Sequence, residues 1–401
     1  MKGISGIIAT ILLVLIAIAL VGVAYVFFSG MIGGRTAKPI SIADSDGNTV
    51  VVNNDGTEAI NSGEIKIFVN GKEATVLNPQ SIQPHQSATL KFLPSDFGPN
   101  LEIMVVSPSN SIKRIIDVEP FSVSNFVNNG DFEQGTSNNW VSLTGVTSSD
   151  KHNGLYSGQR TGGATVYTSS FIPYQDNTTT VNLDLYAKSV GAGGLSRLYA
   201  GFMEYDKDYN FIQHYYVQYF ENTKTTLAVD LKPGDTTVKL NNPANWKPSS
   251  TIYYQKIIGF WDLDSRTHCD PSCPAYTYTR NTAYYNTLSG NTITLCKTEY
   301  VGGSWQCVQT IQWSGPMIPA GTPVANMYAG SGYNYVAAAS VQVPNTWTEY
   351  QGSVSGWKYG GDATYSKFRY GTKYVRVMFL ANYQQDSSYS ILFDDVKVTI
   401  S

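Results

Sequence analysis

Between Lys2 and Arg35 the chain carries no charged residue. The apolar part of that interval, Ile4 to Phe28, is twenty-five residues long. As a helix it would measure roughly 37 Å, against about 30 Å for the hydrocarbon core of a bilayer. In lipid a backbone must satisfy its own hydrogen bonds, so such a run is expected to be helical. A cleaved secretory signal fits less well, because its apolar region is about 7–15 residues and ends at small residues. Here the run ends at Phe27-Phe28. The stretch predicts a membrane-spanning helix carrying a large polar head.

The rest of the 401 residues has room for two to four domains. Only 14% of the chain is charged, against about 25% in ordinary soluble domains, while Tyr (28) and Gly (36) are abundant. That balance suits neutral-polar extracellular β-sandwiches. With a net charge of −3 and no basic cluster, nucleic acid is excluded as a partner. Cys269, Cys273, Cys296 and Cys307 fall within about forty residues. An even, local set in an exported head reads as disulfides. The wide second spacing, Cys296 to Cys307, departs from the close pairs of a zinc site.

Ser29 to Gly34 forms a glycine-rich hinge. From Pro39 to Pro120 the pattern changes to period two, with about six short strands expected to form a small β-sandwich. Its clearest signal is Glu64 to Leu77, where Asn70-Gly71 supplies a type I′ turn between alternating strands. Asp44-Ser-Asp46-Gly-Asn48 departs from a calcium loop, since Thr49 stands where the EF-hand pattern needs Gly, and reads as a hairpin turn.

Lys2, Gly3 and Ile4, followed at once by the apolar helix, resemble the class III leader of archaeal type IV pilins and archaellins. That resemblance implies cleavage after Gly3. Ile8 stands where bacterial pilins commonly have Glu, which weakens the bacterial match more than the archaeal one. The order of Asn54-Asp-Gly-Thr, Ser62 to Gly71 and Ser81 to Leu90 resembles the Ig-like head of the same families. It implies a filament subunit at the cell surface, with prepilin peptidase, the pilus assembly machinery and other copies of the chain as partners.

Val127-Asn-Asn-Gly-Asp-Phe-Glu133 and the closing Phe393-Asp-Asp-Val resemble the two ends of the galactose-binding-like jelly roll of carbohydrate-binding modules. Leu183 to Ser189, Thr346 to Tyr350 and Tyr374 to Leu380 agree with that family in order. The resemblance implies a structural calcium held by Asp131, Glu133, Asn153 and Asp395, all hard oxygen donors. It also implies sugar binding on a concave sheet, with Tyr205, Tyr215, Tyr219 and Tyr374 as candidate contacts. Tyr equally serves as a half-buried strand residue. Between the two jelly-roll pieces, Thr226 to Leu240 and Asn245-Trp246 resemble small β-modules of phage and surface proteins. The four cysteines fall in this segment, as if a module with little core needed stapling.

The expected organisation is a leader at 1–3, helix and hinge at 4–34, an Ig-like sandwich at 35–120, a jelly roll at 121–222 and 324–401, and an inserted module at 223–323. The fold class is mainly β behind one N-terminal helix. No catalytic role is assigned. His85, His152, His214 and His268 are scattered, and Asp262 and Asp264 beside Trp261 are a spacing common by chance. The reading is a membrane-held surface filament subunit with an adhesive, carbohydrate-binding head. The alternatives are a surface lectin on a single helix that never polymerises and, behind it, a secreted glycan-active enzyme. Extracellular glycan is the expected ligand.

Overall fold

The computed structural model describes residues 14–23, 37–175, 179–191, 196–212, 219–220, 222–246, 256–260, 281–302, 304–327, 333–358, 365–383 and 388–401. The chain divides into two compact units, Met1–Val123 and Ser124–Ser401. Residues 14–23 are helical. Among the described residues no helix is long and apolar enough to cross a membrane. The membrane-spanning helix and the membrane localisation expected from the sequence are corrected accordingly. Lys2, Gly3 and Ile4 lie outside the described residues.

The first unit holds β1 (Ile40–Asp46), β2 (Thr49–Asn54), β3 (Lys66–Val69), β4 (Lys72–Val76), β5 (Ser87–Leu93), β6 (Gly98–Val106) and β7 (Ser111–Val118). Asp46 to Thr49 is a hairpin turn, with Gly47 at φ 52°. Asn70 (φ 49°) and Gly71 (φ 78°) turn β3 into β4 as the Asn-Gly pair predicts. Strand order is β1-β2-β5-β4-β3-β6-β7. An Ig-like sandwich has two separate sheets. Here pairing of Thr75 and Val76 with Leu93 and Phe92 joins the strands into one path. Its ends meet where Ile40 N donates to Asn110 Oδ1 (2.9 Å) and Asn110 Nδ2 donates back to Ile40 O (2.9 Å). Period two turns Val50, Val52, Ile67, Val69, Leu90, Phe92, Ile103 and Val105 into a shared core.

The second unit opens with β8 (Trp140–Val141), β9 (Gly145–Thr147), β10 (Ser157–Thr161), β11 (Ala164–Thr168), β12 (Ile172–Pro173), β13 (Thr180–Val190) and β14 (Arg197–Tyr205). Next come β15 (Thr225–Thr226), β16 (Thr237–Lys239), β17 (Ile257–Phe260), β18 (Asn281–Ser289), β19 (Thr292–Val301), β20 (Ser304–Thr310) and β21 (Pro323–Met327). It ends with β22 (Asn334–Gln342), β23 (Thr348–Ser355), β24 (Trp357–Lys358), β25 (Phe368–Arg369), β26 (Tyr374–Ala381) and β27 (Ser390–Ile400).

Strands before and after the middle group build two antiparallel sheets, the five-stranded β23-β13-β27-β10-β9 and the six-stranded β22-β14-β26-β11-β8 with β12 on β26. They pack as a β-sandwich. Phe379 of one sheet stacks on Phe393 of the other at 4.5 Å, and Trp140 on Phe379 at 5.4 Å. The middle strands form their own sheet, β15-β21-β17-β18-β19-β16, with β20 on β19. This module does not lack a core. Twelve buried residues, Leu231, Trp246, Phe260, Tyr285 and Leu295 among them, cluster within it. Cys296 and Cys307 form a disulfide across β19 and β20. Cys269 and Cys273 lie outside the described residues.

Candidate ligand-binding face

In β14 the even positions Leu198, Ala200, Phe202 and Glu204 turn into the sandwich. The odd positions Tyr199, Gly201, Met203 and Tyr205 turn outward. β26 pairs with it so that Tyr374 opposes Tyr205 and Arg376 opposes Met203. On the other side of β26, Tyr167 of β11 opposes Met378. Gly201 lets β22 lean over this surface, since a Cβ there would sit 1.7 Å from Asn334 O. That approach brings Tyr335 against Tyr199 at 4.7 Å.

The result is a continuous aromatic strip. From Tyr383 it runs to Tyr199 (5.7 Å), Tyr335 (4.7 Å), Tyr333 (6.1 Å) and Phe211 (5.8 Å). It continues to Tyr205 (5.6 Å), Phe171 (4.9 Å), Tyr209 (4.6 Å) and Tyr374 (4.4 Å). Tyr365 branches from Tyr335 at 5.6 Å. The two ends differ in exposure. Tyr383 and Tyr365 are 39% and 38% exposed, whereas Tyr205 and Tyr374 are each at 7%. Burial pushes the Tyr205 hydroxyl pKa up, and Arg376 pulls against that shift.

Arg376 is the cation of the strip. Its guanidinium lies 3.8 Å from the Phe171 ring centre, 5.3 Å from Tyr205 and 5.6 Å from Tyr167. Nη2 donates to Ser169 O at 2.9 Å, and the buried Nε has no hydrogen-bond partner. Beneath the strip, Glu204 Oε1 accepts from Arg369 Nη1 and Oε2 from Thr372 Oγ1, both at 2.9 Å. This ties the turn leading into β26.

Of the tyrosines named from sequence, Tyr205 and Tyr374 are thus neighbours on this face, at its buried end. Tyr219 pairs with Met327 of β21, with the Lys224 ammonium 4.8 Å over its ring. Tyr215 lies outside the described residues. Sequence reading passed over Tyr333, Tyr335, Phe171, Phe211 and Arg376. The signal was period two: Tyr333-Asn-Tyr335 and Tyr374-Val-Arg376 each place both ends on one face.

The residues named for calcium lie at another edge of the sandwich. Glu133 Oε1 accepts from Leu155 N (2.7 Å) and Tyr156 N (2.9 Å). Asn153 Oδ1 accepts from Gly154 N, and Asp131 Oδ1 from Glu133 N. Asp395, at φ 48° where the β13–β27 register shifts, turns its carboxylate to His152 Nδ1 at 2.7 Å. His152 stacks on Tyr186 at 3.6 Å. Asp394 accepts the N–H groups of His152, Asn153 and Asp395, and burial pushes its pKa up to about 6. Among the described residues no group of three or more His, Cys, Asp or Glu is placed to hold a metal ion.

No family model and no curated protein matches this chain. Similar solved structures include the CBM22-1 xylan-binding domain of Paenibacillus barcinonensis Xyn10C, at 11% identity over 69% of this chain and 92% of that one, TM-score 0.27. The N-terminal CBM22-1-CBM22-2 tandem domain of the same protein matches at 11% identity over 92% and 85%, TM-score 0.28. A structure reported for carbohydrate-binding modules of the β-sandwich superfamily matches at 10% identity over 90% and 97%, TM-score 0.23. Carbohydrate-binding-module structures are among those similar to this chain.

Proposed function

We propose that the second unit is a carbohydrate-binding module, acting by binding and not by catalysis, with the outward face of its six-stranded sheet as the binding surface. The observation that carries this reading is the unbroken strip from Tyr383 through Tyr199 and Tyr335 to Tyr205. Tyr presents a flat apolar face for a pyranose ring and a hydroxyl for its rim, at low entropic cost. Among the described strand residues of this sheet no carboxylate pair faces outward. The filament-subunit role implied by residues 1–120 gains no support from the described residues.

The test is affinity electrophoresis of the whole chain through gels containing soluble polysaccharides. Retardation by at least one polymer, reduced by Tyr335→Ala without loss of melting temperature, is the expected result. A folded chain that migrates unretarded through every polymer would overturn the reading.

A further inference from the structure

We infer that the ligand of this face is an acidic glycan, a polymer bearing uronate carboxylates, and that Arg376 reads the carboxylate. This rests on the sugar-binding reading above and names the substrate class of the same surface. The first ground is charge. Among the strands of the six-stranded sheet, the only acid is Glu204. It points into the sandwich at 1% exposure and is occupied by Arg369 and Thr372. In β11, β14, β22 and β26 the charged residues at outward positions are Arg197 and Arg376. In the turn after β14, Asp206 is itself buried and accepts the N–H groups of Asp208 and Asn210. In the same turn the exposed Asp208 is paired with Lys207 at 3.0 Å, so among the described strand residues of the face the outward charge is cationic, on a chain whose net charge is −3.

The second ground is the state of Arg376 itself. Its guanidinium is wedged between Phe171, Tyr167 and Tyr205, Nη2 donates to Ser169 O, no salt bridge to it forms among the described residues, and its Nε has no hydrogen-bond partner. Aromatic faces offset only part of the cost of partly desolvating a cation. A guanidinium held in one plane is matched by a carboxylate, which can accept two parallel N–H bonds. The strip supplies stacking for successive sugar rings, and Arg376 supplies the one fixed charge among them. A neutral glycan would leave that charge unanswered.

The experiment uses the full chain with polygalacturonate as the acidic probe and unsubstituted xylan as the neutral one, followed by calorimetry with oligomers of each. Tighter binding to oligogalacturonate by roughly tenfold or more is expected, weakening between 50 mM and 500 mM NaCl. Arg376→Gln should remove that advantage, and Arg376→Lys should restore part of it. Competition on the unaltered chain decides the matter if a variant fails to fold. Oligogalacturonate should then displace either polymer at about a tenth of the neutral oligomer's concentration. Equal affinity for acidic and neutral oligomers overturns the inference and leaves the sugar-binding reading standing. A folded chain that binds neither overturns both.

Discussion

Glu204 and Arg369 form an ion pair sealed inside the sandwich, at 1% and 4% exposure, with Oε1 and Nη1 2.9 Å apart. Glu204 is the inward neighbour of Tyr205 in β14, and Arg369 lies five residues before Tyr374 in the chain. The pair thus ties β14 to the segment that leads into β26, the two strands that carry the buried end of the aromatic strip. Removing one partner strands a buried charge, which costs about 3–5 kcal/mol. Glu204→Gln is expected to lower the melting temperature of the second unit by roughly 6–12 °C. Glu204→Leu combined with Arg369→Leu should cost less than either single change. All seven tryptophans lie beyond residue 124, so intrinsic fluorescence follows this unit alone. An unchanged transition in Glu204→Gln would refute the role.

The tyrosines should separate into two classes on substitution. Tyr335→Ala and Tyr199→Ala remove half-exposed rings, and are expected to weaken polysaccharide retention about fivefold to tenfold with little change in melting temperature. Tyr205→Ala and Tyr374→Ala remove rings packed on Phe171, and should destabilise by about 3 kcal/mol. Equal stability loss in both classes, measured by thermal melts beside the binding assay, would show the strip to be core.

How much of this was legible beforehand follows from what period two can and cannot encode. Leu183 to Ser189 and Tyr374 to Leu380, which matched the jelly-roll pattern in order, fall on β13 and β26. The Asn70-Gly71 turn was readable because a type I′ turn needs two residues at positive φ. Which outward residues meet was not readable. Tyr199 and Tyr335 are far apart in sequence, and their contact depends on β22 leaning over Gly201, a fact of sheet geometry. The module core was missed for the same reason. Leu231, Trp246 and Tyr285 join only through pairings separated by tens of residues. The apolar run at the N-terminus carried a helix signal, and its described residues, 14–23, are helical.

Asp394 should make the second unit more stable in mild acid. Its pKa is pushed up to about 6 by burial, while an unfolded carboxyl titrates near 3.9. Between those values the folded chain keeps a proton that the unfolded chain has lost. This contribution to stability therefore falls as pH rises from about 4 to 6 and is level above. Asp184, also raised by burial and by Glu349, acts in the same direction. Fluorescence melts are expected to show a higher midpoint at pH 5 than at pH 7, with the difference shrinking in Asp394→Asn. A midpoint that rises from pH 5 to pH 7 and does not respond to Asp394→Asn would exclude Asp394 as its source.

Chelation tests the same edge from another side. The resemblance to carbohydrate-binding modules implied calcium at Asp131, Glu133, Asn153 and Asp395. In the folded chain those side chains also tie turns: Glu133 holds Leu155 and Tyr156, and Asp395 holds His152. A cation would have to displace these partners, and breaking a charge-assisted hydrogen bond costs about 1.5–3 kcal/mol. A site assembled that way is weak, so EDTA is expected to leave the fluorescence midpoint within about 1 °C. Saturation by 1 mM calcium at one hundred times its Kd would instead add about 2.7 kcal/mol, several degrees for a unit of this size. Such a rise, abolished in Asp395→Asn, would show that the carboxylates exchange their N–H and imidazole partners for the ion.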